Sequence, residues 1–213
     1  MTTKSTEKRI AAQKSIISES LVHRALEPSN SYFKTADNTG IQVISAVWAD
    51  IGKKQISPTA GSSIVISSEY RRVYGDLAIN FPEALTPEKA TKSRMAKEFF
   101  IALLRPEDNG KQLSLVISHW DLEIAKNIGE TLLGSYRNIF VNGIQISCEV
   151  VSYQICLEGH GTYWLLNSQN NLLPGETLIV ELGQGTVEFH LFSEDGIILE
   201  TVTVEELAVD RKS

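Results

Sequence analysis

The chain is poor in the residues that would cross-link it or attach it to nucleic acid. Only two of its 213 residues are cysteines, Cys148 and Cys156, and both lie in one strand-like stretch. This pattern indicates buried thiols in a reducing cytoplasm rather than a disulfide or metal framework. The net charge of −6 provides no basic surface for direct contact with nucleic acid.

Long apolar runs are also missing. None reaches the roughly 20 residues that span a bilayer, and no apolar segment follows the charged N-terminus as in a signal peptide. We therefore expect a cytoplasmic protein without membrane contact. The four histidines show no metal-ligand spacing, and only His160, close to Glu158, is expected near a functional site.

The pattern of apolar residues predicts a mixed α/β fold. Residues 23–80 alternate apolar and polar positions between turns, which is typical of a β-meander. A helix is predicted to open at Thr86-Pro87-Glu88 and to continue from Lys92 to Leu104. Leu113 to Ile117 reads as a buried strand, and Asp121 as the N-cap of a helix through Leu133. Strands alternating with helices in this way indicate layered α/β packing.

The stretch Leu178–Phe192 carries the strongest functional signal. Two apolar strands are joined by the turn Gly183-Gln184-Gly185-Thr186, with Glu181 before it and Glu188 after it. A glycine turn exposes backbone N–H groups to an anion, and an acid beside it would face the accompanying cation. The plainer alternative is a glycine hairpin on a half-buried sheet with solvated acids.

Two further segments repeat the combination of strand and acid. Near the N-terminus, Glu27 precedes the turn Pro28-Ser29-Asn30-Ser31, and Lys34 follows on the next strand as a candidate phosphate counter-charge. Taken singly, Lys34 is an ordinary surface lysine. Further along, the strand-like Ile144–Leu157 ends at Glu158, with Gly159 before a helix-like segment.

In their order, these segments resemble the phosphate loops of the superfamily that contains actin, heat-shock chaperones and sugar kinases. Its two loops follow roughly Asp-x-Gly-x-x-x-x-Lys and Asp-(Leu/Ile)-Gly-x-Gly-Thr-x-Asp. Over residues 24–205 the chain is most similar to the N-terminal lobe of bacterial actin-like proteins of the ParM/StbA plasmid-partition type. The resemblance implies a ribonuclease-H-like (actin-like ATPase) lobe with a mixed sheet and a small inserted subdomain.

The resemblance also implies roles for individual residues, with ATP and Mg²⁺ as ligands. Glu158 would position the attacking water, and Glu27 and Glu181 would hold Mg²⁺ through water. The nucleotide phosphates would contact the two loops, formed by Glu27, Ser29, Asn30, Ser31, Lys34, Glu181, Gly183, Gln184, Gly185, Thr186 and Glu188.

Four positions depart from the superfamily pattern. Glutamate replaces aspartate at Glu27, Glu181 and Glu188, and Ser29 replaces a glycine. Each glutamate carries its charge one methylene further out, which suits the strict octahedral geometry of Mg²⁺ badly. Ser29 adds a Cβ where backbone must approach a phosphate. Because misplacement on this scale costs about 100-fold in rate, we expect weak or lost hydrolysis.

The predicted domain organisation is a single lobe. Residues 1–22 form a flexible or helical arm, residues 23–207 the actin-like lobe with the insert within 36–110, and residues 208–213 a tail. The second lobe of an actin-like ATPase is not expected in this length, so a competent ATPase is not expected of the chain alone.

Three functions remain open at this point. The chain is a degenerate or truncated actin-like protein of partition type, a non-enzymatic interaction module, or half of an ATPase completed in trans by a second-lobe chain. The expected partners are accordingly further copies of the chain, in a homo-oligomer or filament, or that second chain. An apolar series near the C-terminus, from Ile197 to Leu207, is the expected contact face.

Overall fold

A computed structural model of the chain describes residues 21–29, 31–86, 92–182 and 186–204. The predicted N-terminal arm lies outside these residues except for Leu21 and Val22, and so do Pro87, Glu88 and the tail at 208–213. The chain divides into two compact units. The large unit comprises the described residues up to Ser118 together with Glu123–Ile155, and the small unit comprises His119–Leu122 with the described residues from Cys156 onward.

Strands dominate the large unit because apolar and polar residues alternate along most of its segments. In chain order they are β1 (Leu21–Pro28), β2 (Tyr32–Asp37), β3 (Gly40–Ser45), β4 (Trp48–Asp50), β5 (Ser62–Ile66), β6 (Arg71–Gly75), β7 (Gln112–Ser118), β8 (Gly134–Val141) and β9 (Ile144–Cys156). Two α-helices, α1 (Lys92–Ala102) and α2 (Leu122–Leu132), and two short 3-10 helices, Asp76–Asn80 and Pro106–Asp108, accompany them.

The nine strands form one mixed sheet in the order β3-β2-β1-β7-β9-β8-β5-β6-β4. β1 is parallel to β7, whereas β1–β2, β2–β3 and the pairs at the other end are antiparallel. The predicted meander is therefore correct for β1 to β3. It fails for β4, which pairs with β6 and not with β3 or β5, its neighbours in sequence.

Aromatic packing anchors α1 to this sheet. Phe33 of β2 and Phe99 of α1 are both fully buried, and their rings stack with centroids 4.4 Å apart. Tyr74 of β6 meets Phe99 edge-on at 5.2 Å. Burial of side chains of this size supplies a large part of the hydrophobic stabilisation of a domain.

A second, smaller core cluster lies within the segment predicted to hold the inserted subdomain. It is built of Ala49, Ile51, Ile64, Val73 and Ala78. The strands that carry it belong to the same sheet as β1 and β7. The predicted boundaries of the lobe and of its insert stay predictions.

The small unit contains one helix and a three-stranded antiparallel sheet. α3 (His160–Ser168) precedes β10 (Thr177–Leu182), β11 (Val187–Phe192) and β12 (Ile198–Val204), and β11 is the central strand. Its core cluster is small, consisting of Tyr163, Ile179 and Phe192 with half-buried Leu166, Leu172 and Ile198 around them.

Two further observations concern the cysteines and the length of the helices. Both cysteines are free thiols, and burial raises the pKa of Cys148 to about 12, so this thiol is protonated and unreactive at neutral pH. Within the described ranges, no helix is long and apolar enough to cross a membrane.

Candidate functional site

The first acidic hairpin is formed by β1 and β2 of the large unit. Glu27 and Lys34 are direct cross-strand partners, and Lys34 Nζ donates to Glu27 Oε1 at 2.6 Å. Both side chains are about two-fifths exposed, at 38% and 40%. Lys34, which was predicted to balance the charge of a phosphate, therefore neutralises Glu27, which was predicted to hold the cation.

The turn of this hairpin is closed by its own hydrogen bonds. The N–H of Ser29 donates to the carbonyl of Tyr32 at 2.9 Å, and the N–H of Tyr32 donates to Ser29 Oγ at 3.2 Å. Two backbone donors of the proposed phosphate loop are therefore satisfied within the turn. Ser31 lies in the same turn, whereas Asn30 is outside the described residues.

The second acidic hairpin is formed by β10 and β11 of the small unit. Glu181 and Glu188 are direct cross-strand partners, as the two predicted strands require. Thr186 is half-buried and immediately precedes β11. Gly183, Gln184 and Gly185, the predicted anion-binding tip, lie outside the described residues, so that expectation stays a prediction.

His190 lies beside these two acids, a contact that was not predicted from the sequence. It is fully buried, and its Nε2 lies 3.4 Å from Glu188 Oε2 and 3.8 Å from Glu181 Oε2. Strand alternation places His190 on the same face of β11 as Glu188. The two-residue spacing of Glu188 and His190 within a strand is the sequence signal that would have predicted this contact. The expectation that only His160 lies near a site is corrected by this contact.

Neighbouring residues hold His190 and Glu181 in place. His190 Nδ1 lies 3.2 Å from Thr201 Oγ1 on β12, and Thr162 Oγ1 of α3 donates to Glu181 Oε1 at 3.4 Å. Gly159, with φ of +82°, passes so close that a Cβ there would lie 2.6 Å from His190 Cδ2. A larger residue than glycine at 159 would therefore displace the imidazole.

Glu158 belongs to the same group of side chains. It follows β9 directly and precedes α3, as predicted, and its carboxyl group interacts with Glu188. The pKa of Glu188 is lowered, chiefly by His190; burial raises it, and Glu158 and the charge of His119 lower it further. The charged form of Glu188 therefore stabilises the fold at neutral pH, and this contribution is lost as the pH falls through the lowered pKa.

We call the side chains of Glu158, Glu181, Glu188 and His190 the Glu–His cluster. All four belong to the small unit, whereas Glu27, Ser29 and Lys34 belong to the large unit. The structure thus brings together three of the predicted site residues and adds a histidine. Glu27 lies on β1 of the nine-stranded sheet and Glu181 on β10 of the three-stranded sheet, so the expectation that these acids meet at one edge of one sheet is wrong.

Comparison with known proteins identifies the fold. No protein-family model matches the chain, and no curated protein does. Solved structures of actin homologues do match. The apo psk41 ParM crystal structure superposes with a TM-score of 0.68 at 17% identity, covering 87% of this chain and 66% of that one.

Two other structures give similar values. For Ta0583, an archaeal actin homolog in complex with ADP, the TM-score is 0.69 at 14% identity, over 86% of this chain and 60% of that chain. For the Alp12 filament structure the TM-score is 0.66 at 15% identity, over 87% of this chain and 61% of that chain. The chain has the mixed α/β fold of actin-like proteins. Its structural neighbours are ParM and other bacterial and archaeal actin homologues, and it spans 60–66% of the length of these three.

Proposed function

We propose that this chain is an actin-like protein of the ParM/StbA partition type whose nucleotide site is degenerate, with weak or no ATP hydrolysis. The observation that carries the proposal is that the acids of both hairpins lie against basic side chains of the chain itself, Glu27 against Lys34 and Glu188 against His190. An ATP-binding site of this fold needs the same groups for phosphate and for Mg²⁺.

The first hairpin supports this proposal through its charge balance. A phosphate that recruited Lys34 would have to break the 2.6 Å contact with Glu27 and leave that carboxylate beside the incoming anion. The N–H groups of Ser29 and Tyr32 are already hydrogen-bonded within the turn. A phosphate at this hairpin would therefore have to compete with the hairpin's own hydrogen bonds for these donors.

The second hairpin supports it through burial. Glu188 is only 4% exposed and faces a histidine with no exposed surface. A carboxylate buried in this way does not reach a hydrated Mg²⁺ without moving out of its place in the core. The extra methylene of Glu181 adds a displacement that Mg²⁺ geometry tolerates badly.

Phosphate release from Mg·ATP tests the proposal. The unchanged chain is expected to stay at the background rate. A variant with Glu27→Asp, Ser29→Gly, Glu181→Asp and Glu188→Asp, which restores the superfamily pattern, is expected to gain up to about 100-fold over it. Glu176→Asp with Glu200→Asp, at two exposed positions of the small unit, is the matched control. Rapid hydrolysis by the unchanged chain, at a rate that the restored variant does not exceed, contradicts the proposal.

A second candidate function is self-association, as a homo-oligomer or filament. One face of the small sheet carries Leu178, Val180 and Leu182 of β10 and Val202 of β12, which are 43–78% exposed. Cross-strand pairing places Phe189 and Leu191 between them. Apolar side chains adjoining in this way are typical of contact surfaces. Among the structural neighbours, Alp12 and AlfA are filaments.

Charge placed in this face is expected to abolish self-association. Val202→Glu puts a carboxylate among the exposed apolar side chains, so concentration-dependent sedimentation of the unchanged chain should give way to a monomer. Ile198, which belongs to the apolar series identified in the sequence, packs against the core of the small unit, so a charge there would test folding instead. Leu173→Glu, at an 85% exposed position outside the sheet, is the control. A monomer at high concentration for the unchanged chain contradicts this function.

A further inference from the structure

We propose that the small unit binds a divalent transition-metal ion directly through Glu181, Glu188 and His190, without a nucleotide. One ligand atom from each of the three residues lies within 4.8 Å of the other two. This proposal does not depend on the proposed function, because all three ligands come from the chain. It also differs from a Mg²⁺ that accompanies nucleotide phosphates.

The chemistry of the three ligands selects the kind of ion. An imidazole nitrogen with two carboxylates suits Zn²⁺ and its neighbours in the first transition series, whereas Mg²⁺ and Ca²⁺ prefer oxygen alone. Three protein ligands with a further position open to water is the pattern of many zinc sites.

The distances support the same choice. Zinc bonds of about 2.0–2.2 Å at tetrahedral angles place neighbouring ligand atoms about 3.3–3.6 Å apart. His190 Nε2 lies 3.4 Å from Glu188 Oε2 and 3.8 Å from Glu181 Oε2. Octahedral Mg²⁺ with bonds of about 2.0–2.1 Å would need oxygens about 3.0 Å apart. The two distances from His190 are therefore close to those around a tetrahedral ion, and the two carboxylate oxygens lie within 4.8 Å of each other.

Buried atoms without hydrogen bonds are the second, independent observation. His190 Nε2 and Glu188 Oε2 are inaccessible to solvent, and neither makes a hydrogen bond of acceptable geometry. Buried polar atoms are rarely left without a hydrogen bond, because each unsatisfied group lowers the stability of the fold by about 1–3 kcal/mol. The two atoms lie 3.4 Å apart, so a single cation could contact both of them.

The surroundings orient these ligands as outer-shell groups do in metal sites. His190 Nδ1 lies 3.2 Å from Thr201 Oγ1, and in the tautomer whose Nδ1–H donates to this hydroxyl the lone pair of Nε2 is directed at the two carboxylates. Thr162 Oγ1 donates to Oε1 of Glu181 at 3.4 Å, and Oε2 of the same carboxylate lies 3.8 Å from His190 Nε2.

Calorimetric titration of the EDTA-treated chain with Zn²⁺, without nucleotide, tests the site. Binding of one equivalent with micromolar affinity is expected, with Co²⁺ giving the visible bands of a tetrahedral ion. Glu181→Gln and His190→Asn should each weaken binding at least as much as loss of an outer-shell partner, about 10–100-fold. The asparagine side chain introduced by His190→Asn keeps a donor for Thr201 but lacks the metal-binding Nε2.

Two controls keep the outcome decisive. His23→Asn and Glu200→Gln, both at exposed positions, should leave the affinity unchanged. If His190→Asn loses its far-ultraviolet circular dichroism, the half-buried Glu181→Gln decides alone. No Zn²⁺ binding, or binding that survives both site substitutions, overturns this proposal and leaves the proposed function standing. An ion retained only together with ATP overturns both.

Discussion

Arg24→Met is expected to lower the free energy of unfolding of the large unit by about 3–5 kcal/mol. Arg24 is 2% exposed and donates to both oxygens of Asp108, at 2.8 Å and 2.7 Å. It also donates to Asp37 Oδ2 at 2.8 Å. Without the guanidinium, two buried carboxylates lose their principal partner, and the energetic cost comes mainly from leaving these charges uncompensated.

The pH dependence identifies the cause of this loss. Burial raises the pKa of Asp37, but hydrogen bonds from Thr39, Arg24 and Arg105 outweigh it and hold the pKa far below its usual range. The stabilising contribution is therefore present above the unfolded carboxyl pKa of about 4 and is lost as the pH falls toward the folded value.

Urea unfolding followed by circular dichroism at pH 7 and at pH 3 measures both effects. The difference between Arg24→Met and the unchanged chain should narrow at the lower pH. Arg137→Met, at an exposed position of β8, is the control and should leave the midpoint unchanged. An Arg24→Met midpoint that matches the unchanged chain at pH 7 would show that the buried network contributes nothing to stability.

Phe192→Ala is expected to cost about 3–5 kcal/mol and to unfold the small unit. Phe192 is fully buried, stacks on Tyr163 with ring centroids 4.6 Å apart and meets His160 edge-on at 5.4 Å. The core of this unit has few other large side chains. A domain of this size has a total free energy of unfolding of only about 3–8 kcal/mol, so Phe192→Ala is expected to remove most of its stability.

Limited proteolysis with mapping of the cut sites measures this loss. Cleavage of Phe192→Ala should begin within residues 156–204, while the large unit resists. Phe192→Leu, which keeps a large apolar side chain, should be cut more slowly than Phe192→Ala. A cleavage pattern for Phe192→Ala that equals the unchanged chain would contradict the assignment of this small core.

The elements that the sequence predicted well depend on local patterns. The two strands around the glycine turn, the helix after Lys92 and the helix after Asp121 follow from apolar periodicity and end signals that lie within each segment. Glu158 between β9 and α3 was predicted by the same reasoning. The resemblance to actin-like proteins was confirmed as a fold.

The features that the sequence did not predict depend on register and burial. The salt bridge of Lys34 to Glu27 follows from which residues face each other across β1 and β2. The role of His190 follows from its burial beside Glu188, and neither residue type indicates burial. Arg24 and Asp108, which are 84 positions apart, meet only in the folded chain.

Titration calorimetry of the unchanged chain with Mg·ATP tests the central claim most directly. Because Lys34 is paired with Glu27 and Glu188 is buried against His190, we expect no binding tighter than about 1 mM, which corresponds to about 4 kcal/mol. The restored variant is expected to bind more tightly than the unchanged chain. A micromolar dissociation constant for the unchanged chain would contradict the degenerate site and indicate a functional nucleotide-binding protein.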